Sequence, residues 1–125
     1  MQLSFQLTQE PEWNDITLDW LQDYITRYSD LSFKRKEMWS YYNPQTDKEE
    51  MIEEIECVIK NVILSFHISI VDIKEYIWWK NPVLVHIDLH KTKGDYEGLG
   101  FAVDNMKDFR NGLIDIVEKF KEWSA

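Results

Sequence analysis

Apolar residues along this chain recur at two different periods, and the changes between them mark out its elements. Leu3, Phe5 and Leu7 alternate with Ser4 and Gln6, which predicts a short strand that Pro11 ends. Ile16, Trp20, Leu21, Tyr24, Ile25 and Tyr28 then recur at three and four residues, predicting a helix from Asp15 to about Tyr28 capped by Asn14 or Asp15. Residues 31–43 read two ways: their aromatic content predicts a strand, while their mixed charge allows an irregular excursion. From Thr46 to about Leu64 the spacing predicts the strongest helix. Thr46 and Glu49 have capping-box spacing, and Met51, Ile52, Ile55, Val58, Ile59, Val62 and Ile63 give a broad apolar face.

Phe66, Ile68 and Ile70 return to period two, and the run to Trp79 reads either as strand or, over residues 70–80, as helix. Lys80, Asn81 and Pro82 break it. Val83, Val85, Ile87 and Leu89 form the clearest strand, residues 93–98 a turn, and Leu99, Phe101 and Val103 another strand. A last helix capped by Asp104 runs to about Trp123 on Met106, Phe109, Leu113, Ile116, Val117 and Phe120. The predicted order is β-α-β-α-β-β-β-α. It describes one α+β domain over residues 1–125, with a mainly antiparallel sheet of about four to five strands and three helices packed on it.

Composition narrows the class. A hydrophobic fraction of 44% with six each of Trp, Tyr and Phe exceeds what a disordered chain carries, despite the net charge of −9. No apolar run reaches the roughly 18–20 residues of a membrane span, and the first residues lack the basic start of a signal peptide. Cys57 is the single cysteine, so neither an intrachain disulfide nor a cysteine-built zinc site is expected, and a cytoplasmic location is. The balance of charge is −7 over residues 1–65 and −2 over residues 66–125. Such an acidic sector repels nucleic acid and attracts basic surfaces.

Catalytic patterns are sparse. His86 and His90 flank Asp88 on one strand face. At ~3.4 Å per residue the two histidines stand about 13 Å apart, too far to share one ion. They leave open a small enzyme built on His86, Asp88 and His90, with no nucleophile to name. Glu49, Glu50, Glu53, Glu54 and Glu56 would share a helix face, but no second helix offers the matching ligands of a carboxylate metal site. No metal or cofactor is therefore expected. Asp15, Asp19 and Asp23 fall at i, i+4 and i+8, where like charges cost ~0.2–0.5 kcal/mol per pair, so the stripe reads as a ridge prearranged for Lys or Arg of a partner. Trp78 and Trp79 are adjacent on a predicted strand, so one of them should be exposed, and Trp39, Tyr41 and Tyr42 form a second aromatic cluster. Lys34, Arg35 and Lys36 read as local partners of the acids. The expected binding residues are Asp15, Asp19, Asp23, Glu49, Glu50, Glu53, Glu54, Trp78 and Trp79.

In size, acidity, aromatic content, α+β plan and lack of catalytic motifs, the whole chain resembles the small immunity proteins of bacterial contact-dependent growth-inhibition and other polymorphic toxin systems. The likeness is one of type and carries over no individual residue. It implies a monomer that binds a cognate basic toxin domain 1:1, often a nuclease, and blocks its active site. A second reading of the same charges is a nucleic-acid mimic that occupies a basic groove on a host defence or transcription protein.

Overall fold

A computed structural model describes residues 10–43, 46–93 and 97–125; the expected strand at Leu3–Leu7 lies outside them. A 3-10 turn at Trp13–Asp15 leads into helix α1 (Leu18–Ser29). Five strands follow: β1 (Lys34–Asn43), β2 (Lys48–Ile59), β3 (Val62–Ile70), β4 (Val83–Lys91) and β5 (Gly98–Val103). Helix α2 (Met106–Trp123) closes the described chain. The strands pair in chain order, every neighbour antiparallel. The α+β plan with an antiparallel sheet is as predicted, but among the described residues there are two α-helices and a 3-10 turn in place of three helices.

Both helices pack on one face. Leu21 and Ile25 of α1 and Phe109, Leu113, Ile116, Val117 and Phe120 of α2 share a core with Ile55, Leu64, Phe66, Val85, Ile87 and Leu89 of the sheet. Each large apolar side chain so buried contributes ~1.5–3 kcal/mol. The opposite, outer face carries the alternate residues: Glu54 and Glu56, Ser65 and His67, His86 and Asp88, Gly98 and Gly100.

The largest correction concerns residues 46–64, which form strand β2, a turn and the start of β3 instead of a helix. Ile52 and Ile55 are both buried, but they point to opposite faces of β2, and their three-residue spacing imitates a helical period. Seven of the nineteen residues over 46–64 are β-branched, and strand pairing along β2 overrides the helical spacing. Thr46 does not cap a helix, because its hydroxyl donates to Glu50 Oε1 at 3.0 Å. The turn at Lys60 and Asn61 holds Lys60 at φ 57°.

Three further boundaries differ. Thr17, not Asn14 or Asp15, caps α1, accepting the Trp20 N–H at 3.1 Å. Asn105, not Asp104, caps α2 through the Asp108 N–H. Asp104 instead accepts the N–H groups of Lys80 and Asn81, tying down the segment that precedes β4. Burial works against its charge, but these donors and the Asn105 amide outweigh it and hold the carboxyl below the ordinary aspartate range. The run from Phe66 to Trp79 is strand only as far as Ile70; residues 71–82 are turns, including one in which Asp72 Oδ1 accepts the Lys74 N–H.

Candidate binding surface

The expected acidic residues do not form one surface. Asp15 closes the 3-10 turn and lies before α1, so only Asp19 and Asp23 share that helix. Both are ion-paired. The Arg35 guanidinium reaches Asp19 and, at 4.0 Å, Glu53; the Arg27 Nε lies 3.1 Å from Asp23 Oδ1. These pairs offset the cost of placing two aspartates one turn apart. Lys36 Nζ approaches Glu56 Oε2 at 3.8 Å. Within β2, Glu49 and Glu53 point to the helix side, while Glu50, Glu54 and Glu56 point to the outer face.

What the structure brings together is a different set. Pairing between β2 and β3 begins at Glu54 and His67, so the preceding half of β2 continues with β1 as a two-stranded arm. A bulge between Glu37 and Trp39, with Met38 as the extra residue, sits where the arm leaves the sheet. Along the arm Trp39 faces Ile52, Ser40 faces Met51, Tyr41 faces Glu50 and Tyr42 faces Glu49. Trp39 is 50% and Tyr42 59% exposed, so two large rings stand in solvent beside carboxylates. From Trp39 to Glu53 there are four acids, Asp47, Glu49, Glu50 and Glu53, against the single base Lys48.

Local hydrogen bonds fix the carboxylates of the arm. Ser40 donates to Glu49 at 3.0 Å. Glu50 accepts from the Asn43 amide and the Thr46 hydroxyl, each at 3.0 Å, and from the Tyr41 hydroxyl at 3.4 Å. Those donors, the Asn43 amide first, lower the Glu50 pKa below the ordinary carboxylate range. The Tyr42 hydroxyl donates to Asp47, and this bond raises the tyrosine pKa. Burial, then the Glu50 charge, raises that of Tyr41. The arm therefore holds ordered negative charge between aromatic faces. Lysine and arginine are drawn to both groups, by charge-assisted hydrogen bonds and by cation–π contact.

Trp78 and Trp79 lie in the turns of residues 71–82, not on a strand. Trp78 is 66% exposed and packs edge-on against Tyr76, while Trp79 is half-buried. On β4, His86 and Asp88 share the outer face with His90 as expected from their alternation. The His86 ring stacks on His67 of β3 with centroids 4.4 Å apart and lies 2.7 Å from the Ser69 hydroxyl. Glu54 lies beside this pair; burial first, then Glu56, raises its carboxyl pKa. Among the described residues no three His, Cys, Asp or Glu side chains are placed to hold a metal, and no helix is long and apolar enough to cross a membrane.

Sequence reading missed the arm because a helix over 46–64 separates Glu49 and Glu50 from Trp39, Tyr41 and Tyr42. Two runs of β-branched residues meeting at Lys60 and Asn61 were the available signal for a hairpin. No family model, no curated protein and no solved structure matches the chain.

Proposed function

We propose that the protein is an inhibitor that neutralises a basic toxin domain, in the manner of an immunity protein, and that the β1–β2 arm makes the contact. The observation that carries this reading is that each face of the arm sets a hydrogen-bonded carboxylate near an exposed ring, Glu50 near Trp39 on the outer face and Glu49 opposite Tyr42 on the other, with Asp47 held by the Tyr42 hydroxyl at the turn. Fixed carboxylates lose little freedom when a cation binds them, so more of the attraction is realised as affinity. Exposed rings supply the buried apolar contact that slows dissociation. Long-range attraction between a chain of net charge −9 and a cationic cleft speeds encounter.

The test is co-expression with a basic toxin domain encoded in the neighbouring reading frame, read as survival and as a 1:1 complex in titration calorimetry. Wild-type chain should protect, and the Glu49→Lys, Glu50→Lys double variant should not. Equal protection by the two would remove the arm from the interface. Binding confined to a host defence or transcription protein would instead favour a nucleic-acid mimic.

A further inference from the structure

Residues 71–82, which join β3 to β4, leave the sheet at the same end as the arm. β2 and β3 run antiparallel from their turn at Lys60 and Asn61. The far end of β3 is Ile70, and the far half of β2 is the arm. Counted on from the Glu54–His67 pair, Ile70 stands level with Met51. The loop after Ile70 therefore starts at a height within the arm.

This loop is braced from within. The Val71 N–H donates to the Pro82 carbonyl at 2.9 Å and joins its two ends. The Asp72 carbonyl accepts from the N–H groups of Glu75 and Tyr76 at 3.1 and 3.0 Å, and the Tyr76 carbonyl accepts from Trp79 at 3.1 Å. Asp104 holds the last part through the N–H groups of Lys80 and Asn81. Yet the same loop leaves Ile77 81% exposed, beside the exposed Trp78 with Tyr76 edge-on against it. Turns are closed by backbone and small polar groups, so this bonding does not call for Ile and Trp here. Large apolar side chains on a fixed support lose little freedom when a partner covers them. Trp and Tyr are also the residues that most often dominate binding energy.

Charge selects the occupant. Residues 70–82 are neutral, with Asp72 and Glu75 against Lys74 and Lys80, but the whole chain carries −9. Two copies repel one another, and an anionic membrane surface repels each of them. A cationic protein is attracted, and it meets the chain at the arm, on the same end of the sheet. We propose that Tyr76, Ile77 and Trp78 form a second contact with the partner of the arm, seated in an apolar pocket beside its basic surface. This inference rests on the proposed inhibitor, since the arm fixes where that partner lies. Carboxylates of the arm draw the partner in, and the apolar side chains of the loop hold it. Of the two adjacent tryptophans, Trp78 makes the contact and the half-buried Trp79 does not.

Binding kinetics with the basic toxin domain of the neighbouring reading frame separate the two contacts. The Ile77→Ala, Trp78→Ala double variant should bind ~30-fold or more weakly, the loss typical of a hot spot, through faster dissociation. Glu49→Lys with Glu50→Lys should mainly slow association and flatten its dependence on salt. A gentler variant reads the contact directly. Ile77→Cys should react quickly with a thiol reagent in the free chain and slowly in the complex, followed by the mass of this chain, while buried Cys57 stays slow in both. Wild-type affinity in the loop variant, with the arm variant impaired, overturns the loop contact and leaves the arm standing. Equal reactivity of the Ile77→Cys thiol in both states does the same. Wild-type affinity in the arm variant removes the arm, and this inference with it. A loop variant that loses only self-association, or only binding to phosphatidylglycerol vesicles, also overturns the proposal.

Discussion

Acid should weaken this fold through two outer-face histidines, His67 foremost. His67 stands on the outer face of β3, stacked parallel on His86, and its Nδ1 is buried without a hydrogen-bond partner among the described residues. Burial first, and the neighbouring His86 second, lower its pKa from 6.5 to about 4. The folded value lies below the unfolded one, so between the two the unfolded chain binds more protons and folding stability rises with pH. Stability is full above about pH 7 and falls as pH drops through 6.5 towards 4. Linkage over the interval from pH 7 to pH 5 gives a loss of about 2 kcal/mol, an upper value because the ring is half-buried. His86 is lowered by the same dominant cause and adds in the same direction. Urea midpoints at pH 7, 6 and 5 would measure the slope in wild type and in His67→Phe, which keeps a ring against His86 but cannot titrate. Stability of the variant should change markedly less over this interval. Parallel slopes for the two proteins would show that protonation of His67 does not drive the loss.

Other predictions concern the turn, the helix anchor and the exposed rings. Lys60→Gly should raise stability by ~0.5–1 kcal/mol in urea melts, since a side chain at φ 57° is strained and glycine is not. Arg35→Ala should lose no more than about 1 kcal/mol despite unpairing Asp19 and Glu53, because exposed ion pairs contribute little, and the loss should shrink in high salt. Phe66→Ala should cost ~3–5 kcal/mol, as the ring is fully buried and packs edge-on against Phe33. Acrylamide should quench Trp39 and Trp78 strongly and Trp13 weakly, read in single-tryptophan variants. Binding of a cationic partner through the arm should then shield Trp39.

How much of this was legible depended on whether the forming contacts were local. Helix α2 and strand β4 were read correctly because each buries one continuous face, so a single period runs from end to end. β2 could not be read so, because its buried face changes between Ile52 and Ile55. Ile52 belongs to the arm, and Ile55 lies beneath the helices. That change is set by where β3 stops pairing, a contact between distant residues that no local window contains. The same limit applies to Asp104, which is well placed in sequence to cap α2. It bonds instead to Lys80 and Asn81, more than twenty positions away.

Charge shows the matching asymmetry on the functional side. The excess of acid in the first half of the chain is plain from composition, but its availability is decided by pairing. Arg35 reaches across from β1 to Asp19 on α1 and to Glu53 on β2, so two of the expected binding residues are engaged within the chain before any partner arrives. Glu49 and Glu50 are also hydrogen-bonded, but by neutral donors, Ser40, Asn43, Thr46 and Tyr41, which orient the carboxylates, while the nearby Lys48 charge acts on Glu50 without a close ion pair. A carboxylate oriented by neutral donors attracts a cation at a distance, whereas an ion-paired one must first give up its partner. On that ground the arm, and not the α1 ridge, is where Lys and Arg of a partner gain most, and reversing Glu49 and Glu50 should weaken binding far more than reversing Asp19 and Asp23.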